Sequence, residues 1–423
     1  MFFQFEWREL RLKAILVIGD GMADRPVEEL DWKTPLEAAR KPSLNEISKA
    51  GVCGIIDLIS PGIPPGSDTA TLALLGYDAL TVYSGRGALE ALGSGVNVLP
   101  GDVAFRCNFA TVDENFAVLD RRANRIANED AIQLAESLQK IKLKKPLARF
   151  VFKNAVQHRA VLVIRGPKLS TAVSDSDPGK VGEKVLEIKP LDKTPEAKLT
   201  AKILTELMDK FHKVLEKHPI NRERTERKLP PANMILCRGA GTVPRIKPLS
   251  EIYNITATCI AATALIRGVC KVAGMRLIDV KGATGTPQTD FMAKAKAAVQ
   301  ASKTSDFVVL HVKATDVASH DGNFKQKIEM IENIDKMLGY VLDNIDLGST
   351  YLAVTADHTT SSVTRSHEGD PVPVAITGPY LCYNDHKEFD ECSCSKGSLN
   401  RIRGKDLMPI LMNLINKAKK FGA

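Results

Sequence analysis

Three apolar runs, far apart in the chain, end in the same way. Residues 13–20 read KAILVIGD, residues 306–316 read DFVVLHVKATD, and residues 350–358 read TYLAVTADH. Each is short and mostly apolar, as expected of a strand buried in a parallel sheet. Each delivers acidic or imidazole groups at its end: Asp20, Asp316, and the pair Asp357 and His358. Ligands of open parallel sheets gather at the carboxyl ends of the strands. These four residues can therefore converge despite their separation in sequence.

The surrounding pattern alternates strand and helix. TPLEAARKPSLNEISKAG reads as one helix with a glycine stop, VCGIIDLI as a strand, and a further helix is expected from about Thr69. In the last third, ATCIAATALIRGVCKVAG reads as a helix, MRLIDV as a strand, and DFMAKAKAAVQAS and FKQKIEMIENIDKMLGYVLDN as helices. The middle is patterned differently. GDVAFRCNFATVD, ENFAVLDRRA and RFVFKNAVQHRAVLVIRG read as hairpin strands. NEDAIQLAESLQKI and EAKLTAKILTELMDKFHKVLEKH read as amphipathic helices, PINRERTERKLPPAN as an exposed linker, and MILCRGAG as a strand. Alternation at both ends around a distinct middle predicts a parallel α/β domain with an inserted α+β cap, a division that suits a chain of 423 residues. Residues 1–95 and 250–423 are assigned to the core and residues 96–249 to the cap.

Composition narrows the function classes. The formal net charge is +8, with the positive charge concentrated in KIKLKKPLAR and NRERTERK. Aromatic residues make up only 5% and no RNA-binding or zinc-finger pattern accompanies the charge. A solvated helix face accounts for most of the lysines, and a subset of arginines is left to face an anionic substrate. No nucleic-acid partner is expected. No apolar run is long enough to cross a bilayer. In MFFQFEWREL, Glu6, Arg8 and Glu9 interrupt any signal-peptide core. A cytoplasmic protein is expected. The eight cysteines form no CxxC knuckle and read as reduced thiols, most of them in apolar runs, with Cys392 and Cys394 in a polar loop.

Two further features bear on chemistry. In GIPPGSDTATLALLGYD, residues 62–78, a stiff glycine- and proline-rich turn presents Ser67 at the start of an apolar run. An ordinary helix cap explains such a serine. So does a helix start whose free N–H groups favour an anion, whether an ionised serine or a phosphate. In DVASHDG, Asp316 and His320 are four apart and share one face of a helical turn, which suits two ligands of one metal. His367 follows His358 by nine residues and can fold back into the same cluster. Carboxylates and imidazoles without thiolate suit Mn2+, Zn2+ or Mg2+. Taken singly, each piece has a plain structural reading. Taken together they suggest two metals, roughly 3.5–4 Å apart, clamping a phosphoryl group beside Ser67.

These motifs carry a family resemblance. GDGMADRP, PGSDTATLALLGYD, GRGALEALGSGV, GDVAFRCNFATVD, HRAVLVIRG, VKGATG, KATDVASHDG, TADHTT and GSLNRIRGKDLMPIL span nearly the whole chain. The sequence resembles the archaeal type of cofactor-independent phosphoglycerate mutase, within the alkaline phosphatase superfamily. The resemblance implies an alkaline-phosphatase-like core with helices on both faces of its sheet. It implies that Ser67 is the phosphorylated nucleophile, that one metal is held by Asp316, His320 and His367, and that the other is held by Asp20, Asp357, His358 and the Ser67 oxygen. Two divalent ions per chain are expected, Mn2+ first, with Zn2+, Co2+ or Mg2+ as alternatives. Asp120 and Arg121 of LDRRANR, His158 and Arg159 of QHRAVLV, and Arg238 of LCRGAG are implied to bind the substrate, with Lys281 of DVKGATG nearer the phosphate. The implied reaction interconverts 3-phosphoglycerate and 2-phosphoglycerate. A phosphatase or another phosphomutase on the same core is the nearest alternative, and a basic RNA-binding protein a distant one.

Overall fold

The computed structural model describes residues 11–144, 148–382 and 388–422. The chain divides into two compact units, residues 1–83 with 245–423, and residues 84–244. The sequence reading put the first boundary at 95. The helix Arg86–Gly93 instead packs on strands of the second unit, where a Cβ at Gly87 would lie 2.1 Å from the Ala104 carbonyl oxygen. Only glycine permits that approach.

The first unit is built on an eight-stranded sheet. From edge to edge its strands are Asn400–Arg403, Gly51–Asp57, Val372–Thr377, Thr350–Ala356, Lys13–Gly19, Phe307–Val312, Ala257–Ile260 and Arg276–Ile278. All run parallel except Val372–Thr377, which is antiparallel to both neighbours. The three central strands are buried almost end to end, which explains their predominantly apolar composition. Two groups of helices accompany the sheet. Phe291–Ser302 and Pro42–Lys49 pack with Phe324–Asn344, while Ala264–Val272 and Gly404–Leu414 pack with Ser67–Leu74. In the first group Lys327 is fully buried. It donates to the Ala23 and Thr360 carbonyls and to Asp24, tying together two loops that carry site residues.

Several elements depart from the sequence reading. The expected single helix over residues 34–51 is two, Pro35–Ala38 and Pro42–Lys49, because Pro42 cannot continue a helix from its N-terminal side. Residues 257–260 form a strand beside Phe307–Val312, and the helix begins only at Ala264. The alanine-rich composition of this stretch concealed the strand. Asp316 does not end a strand. The strand stops at Val312, and Asp316 lies in the helix Ala314–His320. The expected linker over residues 219–233 contains the helix Pro219–Glu226, whose Asn221 and Arg224 are buried. Both side chains donate to backbone carbonyls, Asn221 to Leu215 and Ala232, and Arg224 to Ala123 and Pro230. Polar residues here satisfy a buried backbone, which charge content alone does not reveal.

The second unit has a five-stranded sheet centred on Val103–Val112, which is antiparallel to Val118–Asp120, Arg159–Arg165 and Met234–Gly241, with Arg149–Val156 beyond Arg159–Arg165. From Val103 to Phe109 every second residue of the central strand faces one side. Val103, Phe105, Cys107 and Phe109 join an apolar core with Phe150, Phe152, Leu204, Leu207 and Phe211. The helices Asn128–Gln139 and Pro195–Glu216 supply the other side of that core. Arg106 and Asn108 therefore point to the opposite face. Six of the eight cysteines are buried, including Cys394, which ends the short helix Glu391–Cys394 rather than lying in a loop. Cys107 and Cys237 face each other across the sheet with sulfurs 3.2 Å apart. Among the described residues, no helix is long and apolar enough to cross a membrane.

Candidate active site

In the first unit, neighbouring elements deliver one cluster. The strand Lys13–Gly19 ends at Asp20, where the chain turns sharply at Gly21 with φ 62°. A Cβ at Gly21 would lie 2.5 Å from Thr360 Oγ1 and 2.9 Å from Asp316 Cβ. The turn can therefore approach those residues only as glycine. Gly21 N–H donates to Asp357 Oδ1 at 3.0 Å, which orients the carboxylate that follows the strand Thr350–Ala356. His358 comes next in the chain. The hairpin of Thr359–Ser361 and Ser366–Glu368 returns His367 opposite Thr360.

Ser67 is the first residue of the helix Ser67–Leu74, with Gly66 rather than Ser67 in the capping position. Thr69 Oγ1 accepts from Gly66 N–H and donates to the Gly66 carbonyl, closing the turn. The serine hydroxyl is thus free of capping duty. It is buried and lies 3.2 Å from His358 Nε2 and 3.4 Å from Lys313 Nζ. The neighbouring Asp68 is held by the Tyr83 hydroxyl at 2.8 Å.

The histidines share one geometry. His320 Nδ1 lies 2.8 Å from the Arg365 carbonyl, and His367 Nδ1 lies 2.8 Å from the Pro65 carbonyl. Carbonyls only accept, so both Nδ1 atoms carry protons. His358 Nδ1 lies 2.8 Å from Thr360 Oγ1, whose own proton goes to Asp316 Oδ1, so this Nδ1 also donates. Every Nε2 is then left with a lone pair facing the cluster when its ring is neutral, the arrangement that orients an imidazole toward a metal. Asp316 Oδ1, His320 Nε2 and His367 Nε2 are mutually 3.3 Å apart. Asp316, His358 and His367 form one compact group of metal-ligating atoms, and Asp20, Asp357 and His358 form another. His358 stacks on His367 with ring centroids 3.7 Å apart and so stands at the junction of the two groups.

The donor set fits hard or borderline divalent ions, and a further observation supports the fit. Asp357 Oδ2 is buried without a hydrogen-bond partner, and Asp20 Oδ2 has only His311 Nε2 beside it, at 2.9 Å. Buried carboxylate oxygens are rarely left unpaired unless an ion completes them. The electrostatics show the same strain. Burial works to raise the Asp20 carboxyl, but Lys313, with His311 and His358, holds it well below the usual range. Burial and the Asp20 charge push Asp357 well above its usual value, although Lys313 and the Gly21 N–H oppose the shift. Burial pushes His358 down to about 4, so the ring is neutral. Asp316 raises His320.

In the second unit, register places arginines together. Arg238 is directly opposite Arg106, and Arg159 is opposite Asn108, so all three project from the face away from the apolar core. Arg86 and Glu90 reach the same face from the helix Arg86–Gly93, with Glu90 Oε1 3.1 Å from Arg86 and 3.6 Å from Arg106. One carboxylate therefore answers several guanidinium groups, and Arg106 Nε is buried with no partner. Burial and the neighbouring cations push Arg106 down to about 9. Such a face favours a bound anion.

The other residues implied to bind substrate are placed less simply. Asp120 accepts from the backbone of Arg122 and Asn124 and holds a turn in which Ala123, Asn124 and Arg125 all have positive φ. Arg121 is engaged by Asp177 through two bonds, at 3.0 and 2.7 Å, and Arg238 lies 3.6 Å from the same carboxylate. Lys281 is exposed beyond the strand Arg276–Ile278, with no hydrogen bond to the Ser67 cluster. Lys313, Thr360, Gly21 and His311 in the first unit, and Arg86, Glu90 and Arg106 in the second, were not singled out by sequence reasoning. A lone arginine inside the apolar run VAFRCNFATV was the available signal for Arg106.

His158 is buried, its Nδ1 has no partner, and burial together with Arg159, Arg122, Arg106 and Arg125 pushes it down to about 3. An unfolded histidine protonates near 6.5. Between these values the unfolded chain binds the extra proton, so this contribution to stability is complete above about pH 6.5 and is lost as pH falls toward 3. His158→Gln should flatten the acid side of the stability profile. Denaturant unfolding from pH 7 to 4 measures the effect, and an unchanged profile would refute it.

Two adjoining carboxylate–histidine groups surround a buried serine at the strand ends of a mostly parallel sheet, a set of side chains able to hold divalent ions beside a nucleophile, as an enzyme of phosphoryl transfer requires. Comparison with known proteins specifies it further. A family profile described as 2,3-bisphosphoglycerate-independent phosphoglycerate mutase matches residues 48–221. The chain is 49% identical over 411 residues to 2,3-bisphosphoglycerate-independent phosphoglycerate mutase 1 of Methanocaldococcus jannaschii, covering 97% of this chain and 99% of that one. It is 47% identical to the corresponding enzyme of Ignicoccus hospitalis, covering 98% and 100%. A solved protein from Pyrococcus horikoshii superposes with a TM-score of 0.86 at 40% identity, covering 98% of this chain and 100% of that one. The cofactor-independent phosphoglycerate mutase of Thermoplasma acidophilum does so with 0.69 at 35%, covering 96% and 100%. The chain belongs to the family of 2,3-bisphosphoglycerate-independent phosphoglycerate mutases.

Proposed function

We propose that the chain interconverts 3-phosphoglycerate and 2-phosphoglycerate by moving the phosphoryl group through Ser67. One observation carries this reading. Ser67 Oγ is buried, relieved of capping, and set against His358 Nε2 at the junction of the two carboxylate–histidine groups. Asp316, His320 and His367 are assigned to one divalent ion, and Asp20, Asp357, His358 and Ser67 to the other, with Mn2+ as the metal expected first. Bound ions would supply Lewis-acid stabilisation of the serine alkoxide and of the phosphoryl oxygens.

Ser67 loses its proton and its Oγ attacks phosphorus. The Oγ–P bond forms as the bond from phosphorus to the 3-oxygen of the glycerate breaks, and that oxygen takes up a proton. The 2-hydroxyl of the same glycerate then loses its proton and attacks phosphorus, the Oγ–P bond breaks, and Ser67 Oγ takes up a proton to restore the hydroxyl. The backbone N–H groups at the helix start would face a phosphoryl group carried on Ser67. The arginine face of the second unit, residues Arg86, Arg106, Arg159 and Arg238, is assigned to the substrate carboxylate. Asp120, Arg121, His158 and Lys281 remain candidates for positioning the rest of the substrate.

The fate of the phosphoryl group tests the proposal. Two populations of 3-phosphoglycerate, distinct in both carbon and phosphate label, are mixed and converted. Each phosphate should remain on its own glycerate in the first 2-phosphoglycerate formed, and added 2,3-bisphosphoglycerate should make no difference. Early scrambling of labels would refute intramolecular transfer. Inorganic phosphate as the sole product would replace the mutase reading with a phosphatase.

A further inference from the structure

Lys313 has no role in the assignments above, yet it stands at their centre. It lies between the strand Phe307–Val312 and the helix Ala314–His320. Its Nζ is 2.7 Å from Asp20 Oδ1, 2.7 Å from Asp316 Oδ2 and 3.4 Å from Ser67 Oγ. The two carboxylates belong to different metal-ligating groups. The ammonium therefore bridges the groups on the side that faces the nucleophile.

Resting on the reading of Ser67 as the nucleophile, we propose that Lys313 is a catalytic residue. Its ammonium holds the Asp20 and Asp316 carboxylates when no ion is bound, and turns to the phosphoryl oxygens when divalent ions take those carboxylates. Three arguments support this. Asp20, Asp316 and Asp357 are all buried, and buried carboxylates without a counter-charge are strongly disfavoured. Lys313 supplies a cation to that site from within the chain. Its side chain has the flexible stem and the three donors needed to change partners without leaving the site. Finally, two dications and one ammonium against three carboxylates leave two positive charges, which matches a phosphoryl dianion. Without Lys313 the match fails.

The chemistry requires no additional reactant. The Oγ–P bond forms as the glycerate O–P bond breaks, and Lys313 keeps its proton, donating hydrogen bonds to the non-bridging oxygens. These oxygens lie one bond beyond phosphorus on Ser67, within reach of an amine already beside Oγ.

The test compares Lys313→Met with the unaltered chain. Calorimetric titration with Mn2+ should show two ions bound, roughly tenfold or more tightly, because a competing charged partner has been removed. Steady-state kcat, and the rate at which labelled phosphoserine forms from 3-phosphoglycerate in rapid quench, should both fall about 10²–10³-fold, as for loss of a donor to a developing charge. KM should stay within about threefold, because the interaction lost belongs to the transition state. Retention of kcat within about threefold would overturn the proposal. So would loss of kcat together with weakened Mn2+ binding, which would make Lys313 a scaffold for the carboxylates. If Lys313→Met does not fold by circular dichroism, Lys313→Gln, which can still donate to Asp20, carries the same expectations. If the unaltered chain forms no 2-phosphoglycerate, the mutase reading fails, and the Mn2+ titration alone still decides whether Lys313 competes for the carboxylates.

Discussion

Ser67→Ala should abolish isomerisation, lowering kcat by on the order of 10⁴–10⁶, the range seen when a covalent nucleophile is removed. Labelled phosphoserine, trapped by acid quench in the unaltered chain, should disappear. The fold should survive. The turn at Ser67 is closed by Thr69 and Gly66, and the Thr71 hydroxyl bonds the Ser67 backbone carbonyl, so none of these contacts uses the serine side chain. Loss of activity with an unchanged melting temperature is therefore expected. If Ser67→Ala keeps a substantial fraction of its activity, the phosphoryl group does not pass through this residue. A histidine carrier would then have to be sought, although His320, His358 and His367 each have one ring nitrogen engaged and the other turned into the cluster.

Parts of this site can be read from the chain because their signals are local. Asp20 and the Asp357–His358 pair each follow a mostly apolar run, and strand direction alone carries them to one end of the sheet. Asp316 and His320 declare themselves by helical spacing, even though the helix, rather than the strand, bears Asp316. Lys313 could not be found in this way. Its partner Asp20 is 293 residues distant, and a lysine three positions before an aspartate looks like an ordinary surface pair. The necessity of Gly21 likewise appears only when Thr360 and Asp316 are seen against it. In the second unit the arginine face depends on the register of three strands. A shift of one residue would turn Arg106 into the apolar core. Sequence could propose Arg159 and Arg238, but not that Arg106 and Arg86 join them. Nor could it show that Arg121 is already engaged by Asp177. The helix Pro219–Glu226 was hidden because its arginine serves buried carbonyls, while composition suggested a solvated linker.

Removing divalent metal should abolish activity to below about one part in 10³, and Mn2+ should restore it, if the two ligand groups work together as a phosphoryl clamp. Binding should saturate at two ions per chain. His320→Ala should weaken one proposed site and leave the other, because His320 Nε2 lies 3.3 Å from Asp316 Oδ1 and from His367 Nε2. Asp357→Asn should weaken the other site, where its buried Oδ2 has no protein partner. His358 stands at the junction of both groups, and His358→Ala should impair both. Metal should also stabilise the fold. Free ion at a hundredfold excess over its dissociation constant adds about 2.7 kcal/mol per site, so the melting temperature should rise on loading and the rise should shrink in each variant. Full activity in a chain verified to be metal-free would defeat the two-metal assignment. Binding of a single ion, lost equally in His320→Ala and Asp357→Asn, would mean that the ligands form one mononuclear site. Ser67 would then be activated from one side, and the charge match that assigns Lys313 to the phosphoryl group would no longer hold, because one dication and one ammonium against three carboxylates leave no net charge.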